Sequence, residues 1–299
     1  MKGLEEMSKN KADYLVRGID KGANFRFFGA NSRNLVNEAC QKHQTTPVAS
    51  AALGRTLTAT VMMGNMLKRD EDRISIIIKG DGPIGGIITE ANGKGEVKGY
   101  VYHPQIESHL NYLGKLDVGG AVGNANMTVV KDLGLKEPYS GQVPMLTGEI
   151  AEDLTYYFAV SEQTNSVVIL GVLVDVDYSI KQAGGIIIQV LPDAKEEAID
   201  ALEEKLKDFG NLTDKLEKGQ SIEYVIETLL GEVNYMSETP ISFKCDCSKE
   251  RMERALISVG KKDLKEIADE DEQAEIVCPF CSGKYVFSKE ELEDMIENI

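Results

Sequence analysis

An α+β architecture is predicted by three features of the chain. Over residues 1–192, Val- and Ile-rich runs of strand length follow one another, with helical segments inserted irregularly rather than in strict βαβ alternation. From Asp193 the pattern turns to charged, amphipathic helix. In the last fifth of the chain four cysteines fall in two close pairs, Cys245 with Cys247 and Cys278 with Cys281. We therefore expect a mixed strand and helix core over 1–192, a helical linker over 193–233 and a small C-terminal module over 234–299. A chain of 299 residues with 42% hydrophobic content has the apolar material for one large core and a smaller module.

Within Ser32 to His43, the residues Leu35, Val36, Ala39 and Cys40 share one helical face, so Cys40 reads as a small core residue. Thr46-Pro47 reads as an N-cap followed by proline at the first helical position. It opens a small-residue helix through Leu53, Leu57, Val61 and Met66 that should pack closely against its neighbours. Charged Lys68 to Arg73 turns into Ile74 to Lys79, a β-branched strand, with further strands near Gly86 to Thr89 and Val97 to Tyr102. Gly80, Gly82 and Gly85 match a G-x-G-x-x-G dinucleotide fingerprint after a strand. However, Pro83 lies in the loop, and Ile87, Ile88 and Thr89 continue as strand where that fingerprint needs a helix, so the predicted element is a hairpin turn. A helix begins near Ile150 and runs through Tyr156 to Val160, and Val167 to Val176 and Gly185 to Leu191 are again strand-like.

In the linker, Asp193 with Glu196 reads as a capping box, and Ile199, Leu202, Leu206 and Phe209 form one narrow apolar stripe. A second helix runs from Ser221 through Tyr224, Val225 and Leu229 to Gly231. With many charges and little apolar surface, both depend on docking against the core.

The cysteine spacing carries the chemistry. A structural zinc takes four deprotonated soft ligands at about 2.3 Å, and two short pairs supply two edges of a tetrahedron at little cost in chain entropy. His43, His103 and His109 lie far upstream, which favours a thiolate-only site while leaving a remote ligand open. Four thiolates around one dication carry about minus two net charge. Lys244, Lys249, Arg251 and Lys284 flank the ligands and could offset it. The alternatives are two structural disulfides or buried free thiols. Met1 to Tyr14 is charged and lacks an apolar core of signal-peptide length, and no apolar run approaches the ~18 residues of a membrane span. The expectation is a cytoplasmic protein with reduced thiols at rest.

Charge is uneven. Residues 1–192 carry 19 basic and 21 acidic side chains, and residues 193–299 carry 14 and 28, so the net values are −2 and −14. This disfavours nucleic-acid binding, which neutralises phosphates with Lys and Arg. The seven basic residues between Lys244 and Lys265 are interleaved with acidic ones, as on a solvated helix face.

Phe243-Lys-Cys-Asp-Cys-Ser-Lys-Glu-Arg251, then Asp271-Glu-Gln-Ala-Glu275 and Cys278-Pro-Phe-Cys281 with Tyr285 and Phe287, resembles the C-terminal zinc module of the heat shock protein 33 family, the redox-regulated holdase chaperones. Ala49-Ser-Ala-Ala-Leu-Gly-Arg-Thr56, Gly82-Pro-Ile-Gly-Gly86, Gly95-Glu-Val97 and Val130-Lys-Asp-Leu-Gly134 resemble that family's core signatures. The residues before Tyr14 look like a short N-terminal extension. The resemblance implies a non-enzymatic, ATP-independent chaperone of the stress response. One zinc would be held by Cys245, Cys247, Cys278 and Cys281 in a reduced, inactive monomer. It further implies that hypochlorous acid, or peroxide under unfolding conditions, pairs Cys245 with Cys247 and Cys278 with Cys281 and releases zinc. A homodimer would then hold unfolding proteins and pass them to refolding chaperones.

The spacing gives such a switch a physical basis. A metal ties together pairs separated by the 30 residues from Ser248 to Val277, whereas disulfides within each pair close tiny loops that constrain the chain little. Oxidation would then loosen the module rather than lock it. A Cys-x-Cys disulfide is also strained and readily reduced. The linker helices, marginal by themselves, would open when the module lets go and expose apolar surface.

Two rivals are open to test. A thiol oxidoreductase would use Cys278-Pro-Phe-Cys281 as its redox pair, but only 18 residues follow Cys281. A zinc-ribbon nucleic-acid module would bind with steep salt dependence, against the acidic balance.

Overall fold

In the computed structural model, which describes residues 12–270 and 273–298, the chain divides into two units, Met1–Phe243 and Lys244–Ile299. The extension up to residue 11, and Asp271 and Glu272 of the resemblance motif, lie outside the described residues. The first unit opens with a hairpin of β1 (Tyr14–Asp20) and β2 (Phe25–Asn31), followed by α1 (Arg33–His43) and α2 (Pro47–Gly64). Then come β3 (Arg73–Gly80), β4 (Gly86–Asn92), β5 (Glu96–Val101), α3 (Val118–Val122), β6 (Ala125–Asp132), β7 (Tyr139–Pro144) and α4 (Ala151–Val160). It ends with β8 (Ser166–Val174), β9 (Ile180–Val190), α5 (Glu196–Lys207), α6 (Leu212–Glu217), α7 (Ile222–Leu230), β10 (Val233–Pro240) and β11 (Ser242–Phe243). The α+β class is as the sequence predicts.

Two sheets result, ordered β10-β1-β2-β9-β8 and β11-β5-β4-β3-β6-β7. Neighbouring strands are antiparallel apart from the parallel β11 and β5. The β-branched run of β3 alternates as a half-buried strand must, with Ile74, Ile76 and Ile78 buried. Lys79 pairs with Gly86, so the glycine-rich segment is the hairpin turn that its flanking strands predict.

Helix α2 packs against strands of both sheets, and every residue but Pro47 and Arg55 is buried. That fits its sequence of mostly small and apolar residues with a single charge, Arg55, since a helix covered nearly all round has no charged face. Thr46 is the N-cap, but its side chain caps nothing in the helix; its hydroxyl donates to the Pro104 carbonyl and accepts from the Ile106 amide. Thr56, Thr58 and Thr60 are fully buried and satisfy their hydroxyls on carbonyls four residues back. Gly54 sets the approach distance, because a Cβ there would lie 2.5 Å from Val36 Cγ1 and 2.8 Å from Val172 Cγ2. Gly54→Val is expected to destabilise the unit by about 1–3 kcal/mol through overpacking, despite valine's better rotameric order. A lowered urea midpoint at unchanged slope would show it; an unchanged midpoint would show that the neighbours yield freely.

The helices after β9 are more firmly docked than their sequence predicts. Leu202 of α5, Leu212 and Leu216 of α6 and Ile222, Val225, Ile226 and Leu229 of α7 bury against Tyr14, Val16, Phe25, Phe27, Ile186 and Ile188 of the five-stranded sheet. From the predicted apolar stripe only Leu202 is buried, while Ile199 and Leu206 of α5, and Phe209 just beyond its end at Lys207, are partly covered. Gly29 lets α7 lie close on β2, since a Cβ there would be 2.6 Å from both Ile222 Cγ2 and Ile226 Cδ1.

Two expectations change. The capping box of Asp193 and Glu196 does not form: α5 starts from Lys195 as N-cap, with no side-chain cap. The Lys195 amide instead donates to Asn24 Oδ1 at 3.0 Å, a partner far away in sequence. Residues 234–243, grouped by sequence with the cysteine module, lie in the first unit. There β10 pairs with β1 from Tyr14↔Pro240 to Asp20↔Val233, and β11 pairs with β5.

The second unit holds α8 (Lys249–Val259), α9 (Lys261–Glu270), the antiparallel pair β12 (Gln273–Val277) and β13 (Lys284–Ser288), and α10 (Lys289–Glu297). Its core is small: Leu256, Leu264, Ala268, Phe287, Leu292 and Met295.

Candidate metal centre

Each cysteine pair sits where the local backbone is already fixed. Cys245 and Cys247 immediately precede Ser248, the N-cap of α8, whose hydroxyl accepts from the Arg251 amide. Arg251 in turn donates to the Asp246 carboxylate at 2.7 Å and to the Asp246 carbonyl at 3.3 Å, pinning the Cys-Asp-Cys loop to the helix start. The positive end of the α8 dipole therefore faces the first pair. Cys278 and Cys281 occupy the connection between β12 and β13, closed by Val277↔Lys284. The Cys278 amide donates to the Gly283 carbonyl at 2.9 Å, and the Ser282 amide to the Cys278 carbonyl at 2.8 Å. Gly283 cannot carry a side chain freely, since a Cβ would stand 3.3 Å from Cys281 Sγ and 3.7 Å from Tyr285 Cε2.

All four sulfurs lie within 4.8 Å of one another. Cys245 Sγ and Cys278 Sγ are 3.8 Å apart, Cys247 Sγ and Cys281 Sγ 3.3 Å apart, and none is in a disulfide. A tetrahedron with metal–sulfur bonds of about 2.3 Å has edges of about 3.8 Å, so this donor set fits one thiophilic divalent ion. No histidine joins the group. Cys278 is 3% exposed and the other three are partly exposed. Cys40 is apart from them, buried on the α1 face the sequence assigns to it, with its thiol pushed up by burial against hydrogen bonds from Thr45 and Ser50.

Charge around the cluster is arranged differently from the sequence expectation. Lys249 pairs with Glu291 at 2.6 Å, Lys284 with Glu275 at 2.9 Å and Arg251 with Asp246. Three of the four flanking cations are thus held by carboxylates. The sulfurs instead receive neutral donors: the Cys247 amide to Cys245, the Gly283 amide to Cys281, and the Tyr285 hydroxyl to Cys247 at 3.1 Å. Without an ion, burial and then the neighbouring cysteines push Cys245 up strongly and Cys281 to about 11. At Cys247 burial also opposes the thiolate, but hydrogen bonds from Tyr285 and the other cysteines prevail and hold it at about 7. A dication bound by four thiolates displaces every proton that the thiols hold. Affinity is therefore expected to rise steeply with pH near neutrality and to fall as the pH drops. Chelator competition at pH 6.5 and 7.5 measures it, and a pH-independent affinity would contradict the all-thiolate site.

The Hsp33 protein family model matches residues 13–288, nearly the whole chain. The chain belongs to the Hsp33 family. Among Hsp33 relatives, it is 49% identical over 290 residues to the 33 kDa chaperonin of Clostridioides difficile, covering 96% of this chain and 99% of that one. It is 51% identical over 288 residues to the 33 kDa chaperonin of Alkaliphilus oremlandii, covering 95% and 96%. The crystal structure of the 33 kDa chaperonin from Thermotoga maritima superposes with a TM-score of 0.91 at 36% identity, covering 96% of this chain and 99% of that one.

Against this Hsp33 fold, the sequence located all four clustered thiols. It did not find the bond from Tyr285 or the cramped Gly283. The available signal was the strand period: in β13, Tyr285 and Phe287 share the inward face, and Tyr285 is the one nearer the cysteines in sequence.

Proposed function

We propose that this chain is a redox-regulated, ATP-independent holdase whose reduced form binds zinc through Cys245, Cys247, Cys278 and Cys281. The observation that carries it is four free thiols gathered within 4.8 Å in a unit with six buried core side chains. A small unit with so little apolar core depends on its metal, which supplies about 10–16 kcal/mol in small zinc domains. On oxidation, Cys245 pairs with Cys247 and Cys278 with Cys281. Each pair gives up two electrons, so two equivalents of hypochlorous acid consume all four thiolates and zinc is lost. The module then loosens and the 193–233 helices open. Unfolding proteins bind the released apolar surface, a homodimer being the active form, and pass to refolding chaperones. The four cysteines form a sensor and metal cage rather than a catalytic site, and the protein works in the cytoplasm without nucleic acid or membrane. Among the described residues, no helix is long and apolar enough to cross a membrane.

The test is light scattering of a chemically unfolded client diluted into the zinc-loaded reduced protein, and into the same sample after hypochlorite, with released zinc read in parallel. Suppression only after oxidation, in step with zinc release, supports the holdase. Equal activity in both states reduces the metal to a structural staple, and inactivity in both favours the oxidoreductase or nucleic-acid readings. Hydrogen exchange on the oxidised protein tests the linker separately: full protection of 193–231 would sink its opening.

A further inference from the structure

The phenol of Tyr285 donates a side-chain hydrogen bond to the cysteine cluster, to Cys247 Sγ at 3.1 Å. It comes from β13, next to the Cys278 and Cys281 pair, and reaches a sulfur of the other pair 38 residues earlier. Its ring is half-buried and packs on the Phe287 and Leu292 core, so the hydroxyl is held in place. A Cβ at Gly283 would be tight only against Cys281 Sγ at 3.3 Å, and would meet the Tyr285 oxygen at an ordinary 4.0 Å. Main-chain amides of Cys247 and Gly283 also donate to cluster sulfurs.

We propose that Tyr285 is a positioning residue that sets the oxidation threshold of the cluster by engaging a lone pair of Cys247 that oxidation must use. The proposal rests on the zinc-bound, redox-sensing reading above. When the Cys245 and Cys247 pair closes, one sulfur gives an electron pair to the chlorine of hypochlorous acid and hydroxide leaves. The second sulfur then displaces chloride to form the S–S bond. A sulfur whose lone pair accepts a phenolic O–H is a poorer nucleophile and, as a metal ligand, a more firmly oriented one. The hydroxyl thus raises metal retention and slows attack on oxidant together. It also joins the two halves of the site directly, so breaking it loosens the cage before any disulfide has formed.

The experiment compares wild type with Tyr285→Phe, which keeps the ring in the core, using cobalt(II) as the optical probe and zinc for affinity. The variant is expected to keep the ligand-field bands of a tetrahedral four-sulfur site. Its sulfur-to-cobalt charge-transfer band should move to lower energy, its zinc affinity should drop about tenfold, and its thiols should react several-fold faster with hypochlorite. A merely structural role for the ring would leave the charge-transfer energy alone. Unchanged charge-transfer energy and zinc affinity in Tyr285→Phe overturns the proposal. A wild type without a four-sulfur cobalt spectrum overturns the metal-site reading itself, which separates the two failures. If Tyr285→Phe does not fold, incorporation of 3-fluorotyrosine, a stronger donor, into wild type gives the reverse test: the band should move to higher energy and oxidation should slow. No shift there overturns the proposal.

Discussion

Cys278→Ser is expected to abolish stoichiometric zinc binding and to collapse amide protection across 249–297, while the strands of the first unit keep theirs. Cys278 is the most deeply buried of the four thiols, and its amide and carbonyl both belong to the hydrogen-bonded turn between β12 and β13. Serine preserves the turn but replaces a soft thiolate by a hydroxyl that a zinc site does not favour. The second unit cannot absorb that loss. It has fewer than sixty residues and six buried core side chains, and units of that size seldom derive more than about 3–5 kcal/mol from their core alone. Removing a term of about 10 kcal/mol or more therefore unfolds it rather than softening it. Hydrogen exchange with mass spectrometry reads the protection, and metal analysis reads the stoichiometry. Cys40→Ser is the control, because Cys40 is buried on α1 with Thr45 and Ser50 and has no part in the cluster. Protection retained while zinc is lost in Cys278→Ser would show a unit that folds without its metal and would remove the basis of the switch, and retained zinc would show that three thiolates suffice to hold it.

How far the sequence could be read depended on how local the determining interactions are. The two cysteine pairs are separated by one and two residues, and thiols that close in sequence are close in any fold. The helix Pro47–Gly64 carries its own start signal and a composition explicable only by burial on all sides. The hairpin through Gly80 to Gly86 is decided by the strands that flank it. What was missed is non-local. Strand β10, with Asn, Ser, Glu and a terminal Pro240, has weak strand character of its own and is ordered by β1 from the opposite end of the unit. Asp193 and Glu196 have capping-box spacing, yet Asn24 meets the start of that helix. By position the flanking cations could offset the thiolate charge, but Glu291, Glu275 and Asp246 claim three of them. The Tyr285 bond depends on how the hairpin folds onto the Cys-Asp-Cys loop, which no spacing rule encodes.

Gly29→Val is expected to turn the reduced, zinc-loaded protein into a holdase without oxidation. Valine suits a strand, so β2 itself should tolerate the change. The effect falls on α7, because the new Cβ would lie 2.6 Å from Ile222 Cγ2 and from Ile226 Cδ1. Those residues are one helical turn apart and fully buried, so both contacts are forced outward together. The alternative, displacing Gly29, is resisted by its position in the sheet, paired to Val16 on one side and Ile186 on the other. Helix α7 has nine residues, too few to persist in water without tertiary packing, and four of them provide its buried contacts. Lifting it uncovers apolar surface from Tyr14, Val16, Phe27, Ile186 and Ile188, the kind of patch an unfolding chain would bind. Protection should be lost over 196–230 and retained in β1, β2 and β9, and client aggregation should be suppressed before any hypochlorite is added. Ile226→Ala should act in the same direction, with a cost of about 2–5 kcal/mol from the cavity left beneath the helix. A released helix without client binding would place the binding surface elsewhere. A helix that stays protected would mean that Ile222 and Ile226 can repack around the new side chain. Either way, comparing the variant before and after oxidation separates the helix cover from the cysteine sensor, because Gly29→Val alters the first and leaves all four thiols in place.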